Sequence, residues 1–518
     1  MYSKVFSASI IGLEAHLIQV EADVSNGLPV FHMVGFLASA VKEARERVRI
    51  SLQNSGFKFP AKRITVNLSP ADLRKDGSGF DLPIAISLLA AFGMIPQIKT
   101  NKILVAGELG LDGKVGGIHG ALAMALLAKE EGFDTFILPR VNAHEAGMVE
   151  GIHVIGVDCL SQVIRFLKKE EDIQPVTSEY EKVRQGKNQE DLPDFDEIYG
   201  QTSAIKALET AVSGGHNVLM IGAPGTGKTM LARRIPGIMP LLSRDEALEL
   251  TKIYSVAGLL NPKEPFIFHR PFRAPHHTIT STAMAGGGKN PVPGEITLAH
   301  KGVLFLDELP EFSQNALEIL RQPMEEGKIN ISRLGRSFEY PSDMIVVAAM
   351  NPCKCGYYPD LRKCRCTTVQ VQKYLSRISE PLLDRIDLCV ETNLDKDIRK
   401  RPRGESSHRI RERIIRTRSI QEERYKEEAI RLNSELKGNL LEKYCKLEKK
   451  EQNLLEELTA GNRLSMRGVY RMLRVARTVA DMEESERIKE EHLFQAAVYK
   501  VTGNKYWGEG EWEGQHGL

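Results

Sequence analysis

The sequence predicts an α/β protein in three parts: an N-terminal α/β domain, a central parallel sheet and a helical C-terminal region. Three observations carry that expectation. Residues 1–168 alternate helical stretches with short β-branched runs, such as Ile64-Thr65-Val66-Asn67-Leu68 and Thr135-Phe136-Ile137-Leu138. Three later runs, Asn217–Ile221, Val303–Leu306 and Met344–Ala349, are apolar throughout, as in parallel strands covered on both faces. Beyond Asp395 the chain becomes helical and highly charged.

Size and composition bound the reading. At 518 residues the chain exceeds what one hydrophobic core supports, and about three domains are expected. Residues 169–194 are polar and acidic and include Pro175 and Pro193, which suits a linker. The divisions are therefore 1–168, a linker at 169–194, a core at 195–394, a helical lid at 395–502 and a tail at 503–518. Lys and Arg number 70 against 68 Asp and Glu, so no global field favours nucleic acid and any such contact must come from local patches. The start Met1-Tyr2-Ser3-Lys4-Val5-Phe6 is unlike a secretory leader, and no apolar run approaches a membrane span. The longest, Leu82 to Ile95, suits a buried helix. Seven cysteines, four of them clustered, do not form a disulfide scaffold, and the cytoplasm is the expected compartment.

The central region carries the chemistry. The apolar run Val218-Leu219-Met220-Ile221 leads directly into Gly222-Ala223-Pro224-Gly225-Thr226-Gly227-Lys228-Thr229. Glycines there let backbone N–H groups turn inward around phosphate oxygens, and the following helix presents its positive end to them. Lys228 is expected to reach the β- and γ-phosphates of ATP, and the Thr229 hydroxyl to ligate Mg²⁺. Next, Val303-Leu304-Phe305-Leu306 ends in Asp307-Glu308, delivering two carboxylates to the ligand-binding edge of the sheet. Asp307 is the expected Mg²⁺ partner, and Glu308 the group that orients and polarises the attacking water.

Three further positions complete the set. Asn351, after Ala348-Ala349-Met350, can hydrogen-bond the γ-phosphate or the lytic water. Arg385, in Leu382-Leu383-Asp384-Arg385-Ile386-Asp387, is the candidate for an arginine supplied to a neighbouring subunit, with Arg377 as second choice. The alternative is a salt-bridged Arg385 paired with Asp384 or Asp387. Arg467, in Leu464-Ser465-Met466-Arg467, opens a helix and is a candidate phosphate sensor.

In this order and spacing the five elements resemble the AAA+ superfamily, and residues 195–503 are similar to its magnesium-chelatase-like branch. The residues behind this are Asp196-Glu197-Ile198-Tyr199-Gly200-Gln201, Phe272-Arg273-Ala274-Pro275-His276-His277, and Gly294-Glu295-Ile296-Thr297-Leu298-Ala299-His300. The last of these leads into Asp307-Glu308-Leu309-Pro310-Glu311-Phe312. Residues 1–168 resemble the N-terminal domain of the bacterial YifB/ComM family, so the likeness spans nearly the whole chain. It implies a Lon-protease-like N-terminal fold, a AAA+ P-loop sheet and a helical lid. It also implies a hexameric ring of identical subunits tied to DNA processing, whose ComM members act in natural transformation as branch-migration helicases. A helix-2 insertion around 270–295 and a hairpin from about Lys328 to Tyr340 would line the pore. Arg333 and Arg336 near the hairpin tip either touch DNA phosphates or sit solvated. The basic run from Arg399 to Arg418 is equally ambiguous, a helix face laced with Glu405 and Glu412 being the commoner explanation.

Lys75-Asp76-Gly77-Ser78-Gly79-Phe80-Asp81 resembles the nucleophile motif of Lon-type serine proteases, but Gly79 stands at the serine position. The stretch Gly116-Gly117-Ile118-His119-Gly120-Ala121 lacks that family's lysines, and a serine nucleophile needs an adjacent base. The expectation is a Lon-like domain without peptidase activity that contacts DNA or organises the ring. Cys353, Cys355, Cys364 and Cys366 can satisfy a tetrahedral Zn²⁺, although their one-residue spacings also suit a reduced turn. Cys159, Cys389 and Cys445 read as isolated apolar fillers, and His276-His277 as a loop or pore-facing pair. Two rival functions are a magnesium-chelatase motor subunit and a AAA+ protein remodeller.

Overall fold

A computed structural model describes residues 1–96, 102–177, 180, 192–288, 291–333, 336–392, 403–461 and 464–507. The chain forms two compact units that are not contiguous in sequence. The first comprises Met1–Lys187, Ser243–Phe268 and Lys289–Pro293, and the second Asn188–Leu242, His269–Gly288 and Gly294–Leu518.

The first unit is built on a mixed seven-stranded sheet in the order Val30–Val34, Arg63–Ser69, Glu14–Ser25, Tyr2–Ile11, Ile103–Val105, Thr135–Pro139 and His153–Val157. The apolar helix Asp81–Ala91 is buried along its whole length against this sheet, which is why its sequence shows no polar face. The Asp81 carboxylate at its start is fully buried and accepts from Arg47 Nε at 2.8 Å and Nη2 at 3.0 Å. Lys75, also fully buried, donates to the carbonyl of Pro70. Ser78 Oγ donates to Glu108 Oε2 at 2.5 Å. A capping box of Ser243 and Glu246 starts the helix Arg244–Val256, which belongs to this unit through Gly120 N–H to Ser255 O at 3.0 Å and Lys252 to Glu14 at 2.8 Å.

The second unit is centred on a five-stranded parallel sheet in the order Phe272–Arg273, Val303–Leu306, Ile345–Met350, Val218–Gly222 and Leu388–Thr392. The three apolar runs are its central strands, two of them starting one residue later than their hydrophobicity suggests. Asn217 accounts for one such start. Its Oδ1 accepts from Val346 N–H at 2.9 Å, its Nδ2 donates to Arg385 O at 3.1 Å, and its N–H donates to Asp387 Oδ2 at 3.0 Å. The side chain and backbone N–H of one residue thus join three strand ends, and its polar groups are satisfied where they are buried.

Strands Lys328–Arg333 and Arg336–Pro341 form the antiparallel hairpin. The tip and the side chains of Arg333 and Arg336 lie outside the described residues.

The C-terminal part is helical, with Ser407–Tyr425, Lys449–Gly461, Met466–Met482 and Glu490–Trp507 as its longest helices. A buried polar network holds it together. Asp481, fully buried, accepts from Arg424 Nη1 at 2.7 Å, Asn433 Nδ2 at 2.8 Å and Arg477 Nε at 3.1 Å.

Arginines of the basic run dock its first helix. Arg413 pairs with Glu209 at 2.6 Å and Glu405 at 2.7 Å, Arg411 donates to Gly237 O at 3.1 Å, and Arg418 Nη2 donates to Val212 O at 2.6 Å. Glu405, expected on the helix face, instead lies just before helix Ser407–Tyr425 and pairs with Arg413 from there, and positions 399–402 lie outside the described residues.

Candidate functional site

The P-loop runs from the end of strand Val218–Gly222 to the start of helix Lys228–Ile238. Its turn needs glycine at two positions, since Gly225 and Gly227 have φ of 79° and 88°. Gly222 is required for another reason. It pairs in register with Thr392, and a Cβ there would lie 2.2 Å from Thr392 Oγ1 and 2.4 Å from its carbonyl oxygen. Thr392 Oγ1 also contacts Thr226 Oγ1 at 2.8 Å, and Gln201 Nε2 donates to Thr226 O at 3.2 Å.

The structure brings five of the expected residues to the carboxyl edge of this sheet. Lys228 Nζ donates to Gly222 O at 2.7 Å, Ala223 O at 3.0 Å and Asn351 Oδ1 at 3.2 Å. Burial pushes the Lys228 pKa down, and the charge of Asp307 opposes that shift. Thr229 Oγ1 donates to Asp307 Oδ2 at 2.8 Å. Asp307 Oδ1 accepts the backbone N–H of Glu308 at 3.0 Å.

Glu308 itself has φ 54° and ψ 47°, a left-handed conformation that costs a non-glycine residue about 1–3 kcal/mol. That backbone turns the chain sharply just past the strand and leaves the Glu308 side chain 58% exposed, where it can meet a ligand. A cavity of about 280 Å³ opens there, lined among others by Thr229, Arg233, His277, Asp307 and Glu308. A second, of about 620 Å³, lies against Leu192, Pro193, Met230 and Arg234, with Thr229 common to both.

The arginines stand apart from this cluster. Arg385 is 14% exposed and held within its own chain, by Arg321 O at 3.2 Å, Pro381 O at 2.6 Å and Glu325 at 2.7 Å. Neither adjacent aspartate is its partner. Asp384 takes Arg471 at 2.7 Å, and Asp387 takes the Asn217 N–H. Arg377 pairs with Glu311 at 2.9 Å. Arg467 is exposed in the first turn of helix Met466–Met482. Among the described residues no hydrogen bond or ion pair joins Arg385, Arg377 or Arg467 to the P-loop.

Three residues at this edge have no place in the nucleotide site assigned from sequence: Thr392, Gln201 and His277. His277 Nδ1 lies 3.4 Å from Glu308 Oε2, so this histidine faces the carboxylate pair and is more than a loop residue. The paired histidines were a visible signal, but which one meets Glu308 depends on how the chain returns to the sheet. The four clustered cysteines are brought together as well, with all Sγ atoms within 4.8 Å of one another. Among the described residues no helix is long and apolar enough to cross a membrane.

Comparison with known proteins gives three family matches along the chain. A model described as magnesium chelatase, subunit ChlI, matches residues 194–399, one described as subunit ChlI of Mg-chelatase matches 20–142, and the ChlI C-terminal model matches 404–500. The competence protein ComM of Haemophilus influenzae is 42% identical over 509 residues, covering 96% of this chain and 97% of the relative. The uncharacterized protein YifB of Escherichia coli (strain K12) is 41% identical over 502 residues, covering 96% and 97%. The magnesium-chelatase 38 kDa subunit of Acidiphilium rubrum is 25% identical over 231 residues, covering 40% of this chain and 60% of that subunit.

Proposed function

The chain belongs to the YifB/ComM family of magnesium-chelatase-like ATPases, and from that premise we propose that it is an ATP-hydrolysing, ring-forming motor acting on DNA. The observation that carries the ATPase part is the convergence of Lys228, Thr229, Asp307 and Asn351 on the mouth of one P-loop. Lys228 neutralises the β- and γ-phosphates, and the cleft at Leu192, Pro193, Met230 and Arg234 accepts the base. Thr229 and Asp307 offer a hydroxyl and a carboxylate oxygen, the hard donors that Mg²⁺ prefers, and would hold it. Held there, the ion would supply positive charge that offsets the charge of the phosphates. Glu308 orients the attacking water, and Asn351 holds either that water or the γ-phosphate.

Arg385 acts on the site of a neighbouring subunit and Arg467 completes it, in a hexameric ring working in the cytoplasm. That compartment suits seven cysteines that are all free of disulfides. DNA as the track is supported by the competence designation of a relative that matches the chain almost end to end. The reading is a branch-migration helicase or translocase in recombination or natural transformation. A chelatase role is less well supported, because the chelatase subunit covers only 40% of this chain. The N-terminal domain serves as a DNA-contacting or ring-organising module without protease activity. Its support is that Gly79 stands at the serine position and that residues 116–121 carry no lysine.

ATPase rates with branched DNA, with unfolded protein and with neither test this reading. Stimulation by DNA, and displacement of a branched strand that is lost in Lys228→Ala, is the expected result. Stimulation by unfolded protein but not DNA would overturn it.

A further inference from the structure

Residues 351–366 contain no helix or strand, and the segment is held mainly by short turns such as Gly356 N–H to Cys353 O and Cys364 N–H to Asp360 O. Such a loop buries little apolar surface and needs another source of order. Its four cysteines supply one. Cys353 Sγ lies 3.3 Å from Cys355 Sγ and 3.7 Å from Cys364 Sγ, and Cys355 and Cys364 are 3.5 Å apart. A disulfide would bring two sulfurs to about 2.05 Å. Four thiolates around one zinc, with Zn–S near 2.3 Å, stand about 3.8 Å apart along the edges of the tetrahedron. Three of the sulfurs stand 3.3–3.7 Å apart, near that edge length and far from a disulfide, and Cys366 Sγ lies within 4.8 Å of them; an all-thiolate donor set selects zinc over magnesium or calcium.

The same loop lies against the nucleotide site. Gly356 has φ 86°, and a Cβ there would fall 2.3 Å from Pro224 Cδ and 2.8 Å from Pro224 Cγ, so its backbone lies directly on the P-loop. Asn351, two residues before Cys353, accepts from Lys228 Nζ.

We propose that Cys353, Cys355, Cys364 and Cys366 form a structural zinc site that braces the P-loop through Gly356 and Pro224 and fixes Asn351 beside Lys228. The bracing half of this proposal rests on the nucleotide-site reading above; the metal half does not. Zinc contributes no chemistry to ATP. It holds the loop in the one conformation that leaves the P-loop mouth formed.

The test uses the full-length chain, purified under reducing conditions. Metal analysis is expected to find about one zinc per chain, and cobalt exchange to give the thiolate-to-metal absorption of a tetrahedral four-sulfur site. Cys364→Ser should lower the zinc content, and Cys159→Ser should leave it unchanged. A chain that takes up no zinc while all four thiols react as free thiols overturns the site, and iron in place of zinc overturns the metal assignment.

For the brace, stripping zinc or making Gly356→Ala should weaken fluorescent-nucleotide binding by about tenfold or more, with re-added zinc restoring the stripped protein. Unchanged nucleotide affinity after stripping overturns the brace. A zinc-loaded wild-type chain that binds no nucleotide refutes the ATP reading and leaves the metal site standing.

Discussion

His277 Nδ1 and Glu308 Oε2 face each other at 3.4 Å across the cavity beside Asp307, although they are 31 positions apart in sequence. Glu308 projects from a left-handed backbone and is more than half exposed, so a neighbour on its carboxylate limits where that group points. This contact predicts that His277 acts as a positioning residue for Glu308. His277→Ala should lower kcat for ATP about tenfold with KM within about twofold, while Glu308→Gln lowers kcat by about 10²–10⁴. Steady-state ATPase kinetics check this. A raised KM at unchanged kcat would assign His277 to binding instead.

Thr229 and Asp307 share a 2.8 Å hydrogen bond at the site assigned to Mg²⁺. Asp307→Asn keeps the shape and removes the charge. The Mg²⁺ concentration for half-maximal ATPase activity should rise by about tenfold or more, because a neutral amide oxygen is a much weaker ligand for a hard dication. Titration of Mg²⁺ at fixed ATP reads the shift, and an unchanged midpoint would remove Asp307 from the ion's surroundings.

Gly222 lies against Thr392 with no room for a methyl group. Gly222→Ala should destabilise the second unit by about 1–3 kcal/mol through overpacking. Adding Thr392→Ala removes the hydroxyl but leaves the carbonyl oxygen 2.4 Å away, so rescue should be incomplete. Thermal unfolding of the single and double variants decides the point, full rescue showing that only the side chain matters.

Arg385 is held by Glu325 within its own chain and makes no hydrogen bond or ion pair to its own P-loop among the described residues. If it serves the next subunit, Arg385→Ala should lower kcat by about 10³–10⁵ while leaving nucleotide binding intact. Mixing that inactive variant with inactive Lys228→Ala should then restore activity, because some interfaces combine an intact P-loop with an intact arginine. No restoration on mixing would argue for a role within one chain.

Asp481 is the anion shared by Arg424, Arg477 and Asn433. Asp481→Ala strands two guanidinium groups in a buried place and should cost about 3–5 kcal/mol. The exposed pair Lys426–Glu423 provides the contrast, since Glu423→Ala should cost less than about 1 kcal/mol. Chemical denaturation of both variants measures the difference, and equal shifts would mean the buried network is not what holds the lid.

What the sequence alone determined is local. Continuous apolar runs marked the strands at 218–222, 303–306 and 345–350 because a strand covered on both faces has no polar side. Loop chemistry marked Gly222–Thr229 because only glycines at those places permit its turns. Asp307-Glu308 could be placed at a sheet edge because the run before them stops there. Contacts across sequence were decided by the tertiary structure. Local periodicity does not say that strand 388–392 lies beside strand 218–222, yet that order is what sets Thr392 against Gly222. Nor does it say that the chain returns to put His277 on Glu308, that Arg385 turns to Glu325 instead of its neighbouring aspartates, or that four cysteines with awkward spacing meet within 4.8 Å. Each of these joins residues far apart or on a loop without regular hydrogen bonding, where the partner is chosen by packing of the whole unit and no repeat in the sequence records it.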